Sequence, residues 1–523
     1  MTAGCAAALR GGILYLTLDS PGSSVNVVTP ALAAELEARL ARGLAAGARA
    51  VVLQSAKRGS FVNGASLLLA ASTRPDAPGA QRAYGLRRAY AALAAAPVPT
   101  IAVVEGNCYG CGLELALTCD YRIARDSYDT HFYMTELRDY AIVPFFGGTQ
   151  RLPPLLGLRT AMDVLAGERV DARRALRIGL VDRLAPISGV KKELRSLLSS
   201  LRARKWPKRP PGHSRASPAP DFARLPGPER PLAAEYLRLA GLPFTRGYRL
   251  EEGLRAENES FWRTVATDEA RHAMSFFFVR QSAKAHAIGS ASYARPERVA
   301  LSIRGNGPAL RKLARILSTR RLPGVELKAA GTLAFAARPV RGAFTCILGA
   351  GPRPGGDCAA LLPLPGEAVP LIELVPAGDE MPWRRGAVLF QVLEQAGFAP
   401  VVTRARDRFV SERLIDAFRS AVGSLPARQD LLDFGYRVPR PLARTLGAGG
   451  SGSGIAEQVS AALAKECVRA LDEGALSHRS QADLLVHLLF GFPVGRGGVL
   501  RHVAGGDSAA AAGAARVLGR LQR

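Results

Sequence analysis

The sequence has little histidine and no long apolar run. Histidine accounts for only 7 of the 523 residues, and the 7 cysteines are odd in number and irregularly spaced. Cys108 and Cys111 form a Cys-x-x-Cys pair, but no second pair follows at metal-ligand spacing, so we expect neither a metal site nor a redox centre. No stretch approaches about 18 uncharged apolar residues, so we expect no integral membrane segment.

The amino terminus lacks the features of a secretory signal. Its first residues, Met-Thr-Ala-Gly-Cys-Ala-Ala-Ala-Leu-Arg, contain no long apolar run, and the charged residue Asp19 follows soon after. The irregular cysteine spacing gives no sign of a disulfide framework either. We therefore expect a cytoplasmic protein in a reducing environment.

Acidic residues are few relative to basic ones. The sequence holds 70 Lys and Arg against 44 Asp and Glu, a formal net charge of +26. The excess is spread along the chain, its densest run (202–215) lies in a proline-rich stretch, and no nucleic-acid motif stands out, so we expect no nucleic-acid partner. A basic surface would also concentrate a polyanionic ligand that carries phosphate groups.

The first 190 residues alternate between strand and helix patterns. Short apolar segments predict strands at 12–18, 49–54 and 100–105, and Ala/Leu-rich segments predict helices at 30–45 and 80–95. The first helix begins with Thr-Pro, and proline is favoured in the first helical turn. The pattern predicts an α/β fold, although periodicity alone leaves open which one. The whole chain has room for roughly three domains.

Residues 106–182 carry the most specific motifs. A glycine-rich turn, Gly-Asn-Cys-Tyr-Gly-Cys-Gly, opens a helix whose first turn holds Glu114. Glu136 follows 22 residues later, in a segment that ends in the loop Gly-Gly-Thr-Gln-Arg at 147–151. Two carboxyl groups that face one substrate can divide the tasks of general base and general acid.

This combination resembles the crotonase family, which comprises enoyl-CoA hydratases and isomerases. The resemblance implies a spiral of ββα turns over 1–190, and the hydration of 2-enoyl-CoA to 3-hydroxyacyl-CoA or the reverse dehydration. It implies that Glu114 is the base that acts on water and that Glu136 is the acid that protonates C2. Two backbone N–H groups would form an oxyanion hole for the thioester oxygen, and the family's pattern places them at Ala65 and Cys111.

Several positions depart from the family's pattern. Cys111 stands where a glycine is usual, so its Cβ could crowd the thioester or oppose the required backbone angle. Ser66 replaces an aspartate, and the family's proline just before the second glutamate, Glu136, is missing. Bulky side chains at Tyr140 and at 145–146 replace small residues. These changes leave the identity of the acyl substrate open.

Beyond residue 190 the composition changes. Residues 191–295 are expected to form a basic, proline-rich linker with helices, 296–402 a reduced Rossmann-like domain, and 403–523 an all-helical domain. In the last of these, two helical runs each end in a Phe-Gly-aromatic triplet, at 434–436 and 490–492, which indicates a weak internal duplication. This tail resembles the carboxy-terminal domain of 3-hydroxyacyl-CoA dehydrogenases. The whole chain resembles the α-subunits of bifunctional fatty-acid β-oxidation enzymes.

The dinucleotide fingerprint expected in the dehydrogenase half is incomplete. It keeps Gly305 and Gly307, but Leu310 occupies the third glycine position. Alanines at 329–330 stand where the acid that binds the ribose is expected. We therefore expect no NAD binding, and no other cofactor is implied.

The catalytic residues of that half are also missing. The family's histidine position is Leu361, 12 residues before Glu373, and the family's asparagine position is Glu412. Without the histidine there is no general base for the alcohol proton. The sequence predicts a degenerate dehydrogenase half that is retained for packing, assembly or substrate channelling.

The resemblance implies an acyl-CoA substrate, a homo-oligomer and a thiolase as a candidate partner subunit. Two alternatives stay open. One is a specialised crotonase, namely an isomerase, a decarboxylase or a tailoring dehydratase that acts on CoA or carrier-protein thioesters. The other is a non-catalytic scaffold that docks a thiolase.

Overall fold

The structure of the chain is a computed structural model, and none of the helices it describes is both long and apolar enough to cross a membrane. The described residues are 4–23, 25–57, 59–65, 78–127, 129–205, 229–274, 299–304, 311, 313–315, 317, 325–328, 333–336, 344–348, 358–361, 371–377, 388–390, 392–394, 398–423, 427–444, 446, 454–493 and 496–505.

These residues fall into two compact units. The first contains the described residues up to 205 together with 229–274, and the second contains those from 299 onward. The sequence pattern predicted a separate linking segment over 191–295. The structure differs from this prediction in the helices of 229–274. They join the first unit because Tyr236, Phe261 and Trp262 are buried in its core.

A six-stranded sheet forms one layer of the first unit. Its strands are β1 (Cys5–Arg10), β2 (Ile13–Leu18), β3 (Ala50–Ser55), β5 (Thr100–Val104), β7 (Tyr121–Asp126) and β10 (Arg183–Pro186). They lie in the order β1-β2-β3-β5-β7-β10, and all neighbours are parallel except β1 and β2. The hairpin turn between β1 and β2 is Gly11-Gly12, with φ of 57° and 79°, as its twist requires. The sequence pattern predicted β2 but missed β1.

A smaller sheet forms the second layer. Its strands are β4 (Ser60–Asn63), β6 (Asn107–Tyr109), β8 (His131–Tyr133) and β9 (Val170–Asp171). They lie in the order β4-β6-β8-β9, with only the β8–β9 pair antiparallel among these described strands. The chain passes from β3 to β4, from β5 to β6 and from β7 to β8, so each turn of the chain adds one strand to each layer. The predicted ββα spiral is confirmed.

Helices follow the strand pairs and cover the sheets. In the first unit they are α1 (Pro30–Ala45), α2 (Pro78–Ala94), α3 (Cys111–Leu117), α4 (Glu136–Tyr140), α5 (Gly148–Leu156), α6 (Leu158–Leu165), α7 (Ala172–Arg177), α8 (Val190–Ala203), α9 (Glu229–Gly241) and α10 (Leu250–Val265). The start of α1 is as predicted, because the Thr29 side chain accepts a hydrogen bond from the Leu32 amide and Pro30 follows it.

The second unit combines a sheet with a helical tail. The described strands are β11 (Val299–Arg304), β12 (Val325–Leu327), β13 (Leu333–Ala336), β14 (Phe344–Leu348), β15 (Cys358–Leu361), β16 (Leu371–Pro376) and β17 (Ala399–Val402). Their order is β12-β11-β13-β14-β15-β16-β17, in which only β15 and β16 pair antiparallel. An order that reverses direction at β11 is that of doubly wound α/β sheets, in agreement with the predicted Rossmann-like class.

The tail contains the two predicted Phe-Gly-aromatic triplets. Its helices are α11 (Val410–Val422), α12 (Arg428–Phe434), α13 (Arg440–Ala443), α14 (Ile455–Asp472), α15 (Arg479–Phe490) and α16 (Val499–Gly505). Helices α12 and α15 each end at the triplet's Phe, and Gly435 and Gly491 follow with φ of 109° and 65°. The third residues of the triplets, Tyr436 and Phe492, pack edge to face at 5.4 Å between ring centroids.

Candidate active site

Three neighbouring strands of the small sheet, β4, β6 and β8, end at the same edge. Their last residues are aligned across the parallel ladder: Asn63, Tyr109 and Tyr133. Beyond those strand ends lie three of the predicted site residues, Ala65, Cys111 and Glu136. Because parallel strands carry their carboxyl ends to one edge, the topology brings these three residues together.

The turn before α3 requires glycine. Gly110 has φ 52° and ψ −125°, and its amide donates a 2.8 Å hydrogen bond to the Tyr133 carbonyl. A Cβ at Gly110 would lie 2.8 Å from Glu136 Oε1 and equally close to Thr135 Oγ1. Glycine therefore allows the turn to contact the second predicted carboxylate directly.

The two predicted oxyanion amides have no acceptor among the residues that the structure describes. Within the described part of the chain, neither the Cys111 amide nor the Ala65 amide donates a hydrogen bond. The strands that precede them, β4 and β6, pair in parallel, and a Cβ on Gly112 in α3 would lie only 2.3 Å from the Val62 carbonyl oxygen of β4. Two amides that are free at the ends of adjacent strands can serve one oxygen of a ligand.

The cysteine at position 111 causes none of the strain that its Cβ could have introduced. The residue with positive φ is Gly110, while Cys111 already has the backbone of the helix that it begins. Its side chain is buried in the core of the first unit. The Tyr90 hydroxyl donates to the Cys111 carbonyl at 2.9 Å and is also within hydrogen-bonding reach of the thiol. The Cys111 thiol therefore lies in the core beside Tyr90.

Glu114 is buried in α3 and is held by the loop before α5. Its Oε1 accepts hydrogen bonds from the amides of Phe146 (2.9 Å) and Gly148 (2.7 Å). Burial, and then the carboxylates of Glu257 and Glu136, raise the pKa of Glu114 well above its usual value, while the two amide bonds oppose this rise. The side chain is thus oriented at one oxygen, by two amides that favour its ionised form.

Glu136 opens α4 and is in a different environment. Its Oε2 is buried and, among the described residues, has no hydrogen-bond partner. Burial raises the pKa of Glu136 to about 7, against the opposing effect of the amides of Glu136 itself and Thr135. A carboxyl group with an unpartnered buried oxygen favours its protonated form.

A third buried carboxylate, which was not predicted from the sequence, completes the cluster. Glu257 lies on α10 and accepts hydrogen bonds from the amides of Gly147 (2.6 Å) and Thr149 (2.8 Å). Burial raises its pKa to about 7, which the bonds from Thr149 and Gly147 oppose. A signal for it exists in the sequence. Gly253, Glu257 and Phe261 share one face of α10 at helical spacing, and Gly253 and Phe261 are typical of a buried face.

Aromatic side chains pack beside the cluster. The ring of Phe146 stacks on Tyr90 with 4.3 Å between centroids, and Phe145 lies 4.4 Å from Phe261. Trp262 extends this group and donates a hydrogen bond to the Tyr84 hydroxyl at 3.1 Å. The bulky side chains of Phe145 and Phe146, which depart from the family's pattern, therefore fill space next to Glu114. Ser66 lies outside the described residues.

No group of three or more metal-ligating side chains occurs in the described part of the chain. All seven cysteines, which lie within it, are buried, and none of them is in a disulfide. Cys108 and Cys111 therefore form no disulfide here.

In the second unit, Glu373 occupies a separate polar site. It is directly opposite Leu361 in the antiparallel pair of β15 and β16. Its oxygens accept hydrogen bonds from the Thr403 hydroxyl (2.7 Å), the Val410 amide (2.9 Å) and the amide and hydroxyl of Ser411. The Glu373 carboxylate is thus held by hydrogen bonds from Thr403 and from the first two residues of α11.

The other residues predicted for the dehydrogenase half divide into two groups. Glu412 lies in the first turn of α11. The fingerprint residues Gly305, Gly307 and Leu310 and the alanines at 329–330 lie outside the described residues.

Comparison with known proteins matches the first unit. Residues 9–216 match the family model for enoyl-CoA hydratase/isomerase. A fatty acid oxidation complex subunit alpha from Shewanella loihica is 39% identical over 184 residues, which cover 34% of this chain and 26% of that protein. Its counterpart in Vibrio vulnificus is 35% identical over 178 residues, with 33% and 25% covered. The chain spans about a quarter of the length of these curated relatives.

Solved structures of enoyl-CoA hydratases align at lower identity. One from Mycobacterium avium subsp. paratuberculosis K-10 is 22% identical with a TM-score of 0.40, and covers 54% of this chain and 97% of its own. One from Bacillus halodurans is also 22% identical with a TM-score of 0.40, and covers 52% of this chain and 98% of its own.

Proposed function

Residues 9–216 belong to the enoyl-CoA hydratase/isomerase family, and from this premise we propose that the first unit adds water to the double bond of a 2-enoyl-CoA thioester. The product would be a 3-hydroxyacyl-CoA, and the reverse dehydration would use the same groups. The observation that carries the proposal is the combination of Glu114, anchored by two amides, with Glu136, whose buried Oε2 has no hydrogen-bond partner among the described residues.

The amides of Ala65 and Cys111 would stabilise the thioester oxygen. Negative charge develops on that oxygen as water attacks C3, and neither amide has another acceptor within the described structure. Donors fixed at the ends of two adjacent strands need no reorganisation during the reaction. This arrangement supports an enolate mechanism.

Glu114 would act as the base. Its Oε1 is occupied by two amides, so Oε2 is the oxygen left to accept the proton of water. The raised pKa of Glu114 makes its ionised form a stronger base, and the two amide bonds favour that ionised form. The oxygen of the water would then bond to C3.

Glu136 would act as the acid. Its proton would pass to C2, and the electron pair of the double bond would form the new C2–H bond. A pKa of about 7 keeps a substantial fraction of this carboxyl protonated near neutral pH. After product release, the proton gained by Glu114 and the proton lost by Glu136 are exchanged with solvent, which restores both groups.

The second unit would contribute no redox step. The position opposite Glu373 is Leu361, which cannot accept a proton, and the donors from Thr403 and the start of α11 already occupy the Glu373 oxygens. The incomplete dinucleotide fingerprint separately implies that the unit binds no NAD, so a titration with NADH would give no micromolar dissociation constant. A micromolar constant would overturn this part of the proposal.

The assembly and location follow from the resemblance as parts of the same proposal. The relatives named above are subunits of a fatty acid oxidation complex, which supports a thiolase-like partner and a homo-oligomer for this chain. The seven buried cysteines, none of which forms a disulfide in the described structure, support a reducing, cytoplasmic environment.

The activity is tested with crotonyl-CoA, whose conjugated double bond loses its absorbance on hydration. We expect turnover by the wild type, and losses of about 100-fold or more in kcat for Glu114→Gln and for Glu136→Gln. The control is Glu252→Gln, an exposed position on α10 that should keep wild-type kcat. A wild type that is inert while a thiolase co-purifies with it would favour the scaffold alternative instead.

A further inference from the structure

Loop 146–149 consists of the two residues before α5 and the first two residues of that helix. It offers four consecutive backbone amides to two buried carboxylates. The first and third amides donate to Oε1 of Glu114, at 2.9 and 2.7 Å. The second and fourth donate to the two oxygens of Glu257, at 2.6 and 2.8 Å. Each carboxylate thus fixes the peptide groups that flank those held by the other, so a movement of one shifts the donors of the other.

Glu257 is fully buried, and within the described structure all of its hydrogen bonds come from this segment. Besides the two amides it accepts a hydrogen bond from the Thr149 hydroxyl. A buried carboxylate is costly unless donors surround it. The three donors from Gly147 and Thr149 therefore offset the cost of burying the Glu257 carboxylate on α10.

After Phe146, which stacks on Tyr90, the segment continues through two glycines at 147 and 148. Gly147 has φ 106°, a left-handed conformation, and Gly148 adds no side chain either. A Cβ on Gly148 would lie 3.1 Å from Oε1 of Glu114, so glycine also permits the close approach. Adjacent glycines provide no packing of their own, and the acceptor on α10 supplies the restraint.

We infer that Glu257 is a positioning residue, which fixes loop 146–149 and thereby orients the Glu114 carboxylate. The inference rests on the hydratase activity proposed above, since it gives the orientation of Glu114 a role in that reaction. Glu257 would act through the loop and not on the substrate, so its loss should lower kcat and change KM little.

The first test compares Glu257→Gln with Glu259→Gln. Both lie on α10, but Glu259 is exposed, and the amide at 257 would turn a donor toward the loop N–H groups. We expect Glu257→Gln to lower kcat for crotonyl-CoA about 10-fold or more with KM within about twofold, and Glu259→Gln to match the wild type. Wild-type kcat in Glu257→Gln would overturn the inference.

A double-mutant cycle separates positioning from a general loss of structure. If Glu257 acts through Glu114, then Glu257→Gln should lower kcat no further in a Glu114→Gln background. Additive losses in the double variant would mean that Glu257 supports the fold or another group, and would refute the assignment.

Variants at Thr149 keep the test decisive if Glu257→Gln fails to fold. Thr149→Val has the same shape but loses the hydroxyl that donates to Glu257, and we expect a loss of about 2- to 5-fold in kcat. Thr149→Ser retains the hydroxyl and should restore wild-type kcat. Equal kcat in Thr149→Val and the wild type would contradict the inference.

Hydrogen exchange of the loop provides a readout that needs no turnover. We expect the peptide over residues 145–152 to exchange faster in Glu257→Gln than in the wild type, and unchanged in Glu259→Gln. Faster exchange combined with an inert wild type would refute the hydratase proposal and still support the role of Glu257 in holding the loop. Unchanged exchange in Glu257→Gln would refute the positioning role, whatever the activity.

Discussion

The amide of Gly148 donates a 2.7 Å hydrogen bond to Oε1 of Glu114, and a methyl group on Gly148 would lie 3.1 Å from the same oxygen. That methyl would also lie 2.9 Å from the Cε of Met134 and 3.2 Å from the Cβ of Pro144. The Gly148 amide therefore links loop 146–149 directly to the Glu114 carboxylate, and a side chain at position 148 would crowd its neighbours.

Gly148→Ala should disturb the orientation of Glu114. We expect kcat for crotonyl-CoA to fall about 10-fold or more, because the added Cβ must push the loop or the carboxylate aside. The control is Gly85→Ala in α2, where a Cβ would meet nothing within 4 Å and should be tolerated or slightly stabilising. Steady-state kinetics and thermal melting of both variants give the comparison. Wild-type kcat in Gly148→Ala would show that the contact has no effect on catalysis.

The pKa of Glu136 predicts the alkaline side of the pH profile. Burial raises this pKa to about 7, and hydration requires the protonated acid, so kcat/KM for hydration should fall as pH rises through about 7. The other titratable groups in its surroundings are Glu114, Glu257 and Asp139, and because Glu136 titrates together with its neighbours the measured value belongs to the cluster.

A substitution at Asp139 checks the assignment of that limb. The negative charge of Asp139 raises the pKa of Glu136, so Asp139→Asn should move the alkaline limb to lower pH. The profile is measured with crotonyl-CoA in buffers of constant ionic strength. A limb that stays in place, or moves to higher pH, would assign the titration to a group other than Glu136.

Local signals in the sequence predicted the elements that depend on them. The start of α1 is fixed by Thr29 and Pro30, which act within a single turn. Glu114 and Glu136 are brought to one site because each follows a short strand of the same small sheet. The resemblance to the crotonase family, and not the spacing alone, predicted that the two lie close together, while their chemical roles stay a prediction.

Long-range packing could not be predicted in this way. Glu257 meets the loop from 110 residues away, and no local pattern indicates that α10 returns to the first unit. The proline-rich composition before α9 instead suggested a linking segment. Strand β1 was missed because Cys-Ala-Ala-Ala-Leu-Arg lacks β-branched residues, and its pairing with β2 decides its conformation.

The buried acids should make the first unit more stable when they are neutral. The pKa of Glu136 is raised from 4.5 to about 7, so the folded state holds this proton more tightly than the unfolded chain. The stabilisation by protonation is complete below about pH 4.5 and is lost as pH rises through about 7. Ionisation at pH 8 then destabilises the fold by on the order of 2–3 kcal/mol.

Glu136→Gln should therefore raise the melting temperature at pH 8 by several degrees, although it removes activity. At pH 4.5 the gain should be absent, because wild-type Glu136 is already protonated. Thermal melts at both pH values give the measurement, with Glu252→Gln as the exposed control. An equal shift at the two pH values would mean that packing, and not ionisation, explains the change.

The hydroxyl of Tyr90 fixes the turn that carries the Cys111 amide. It donates to the Cys111 carbonyl at 2.9 Å, while the ring stacks on Phe146 with 4.3 Å between centroids. Tyr90→Phe removes this bond and keeps the stacking. We expect a loss of about 1 kcal/mol in stability and a reduction of about 2- to 10-fold in kcat, because the amide that would hold the thioester oxygen becomes less well placed.

The comparison that isolates this effect is Tyr15→Phe. Tyr15 lies on β2 in the same unit, and within the described structure its hydroxyl makes no hydrogen bond, so the substitution should change neither kcat nor melting temperature. Since the Tyr90 hydroxyl contacts the backbone of the turn and not the carboxylates, its loss should leave the pH dependence of kcat/KM in place. A shifted pH profile in Tyr90→Phe would instead mean that the hydroxyl acts on Glu114, and the role assigned to the turn would then be wrong.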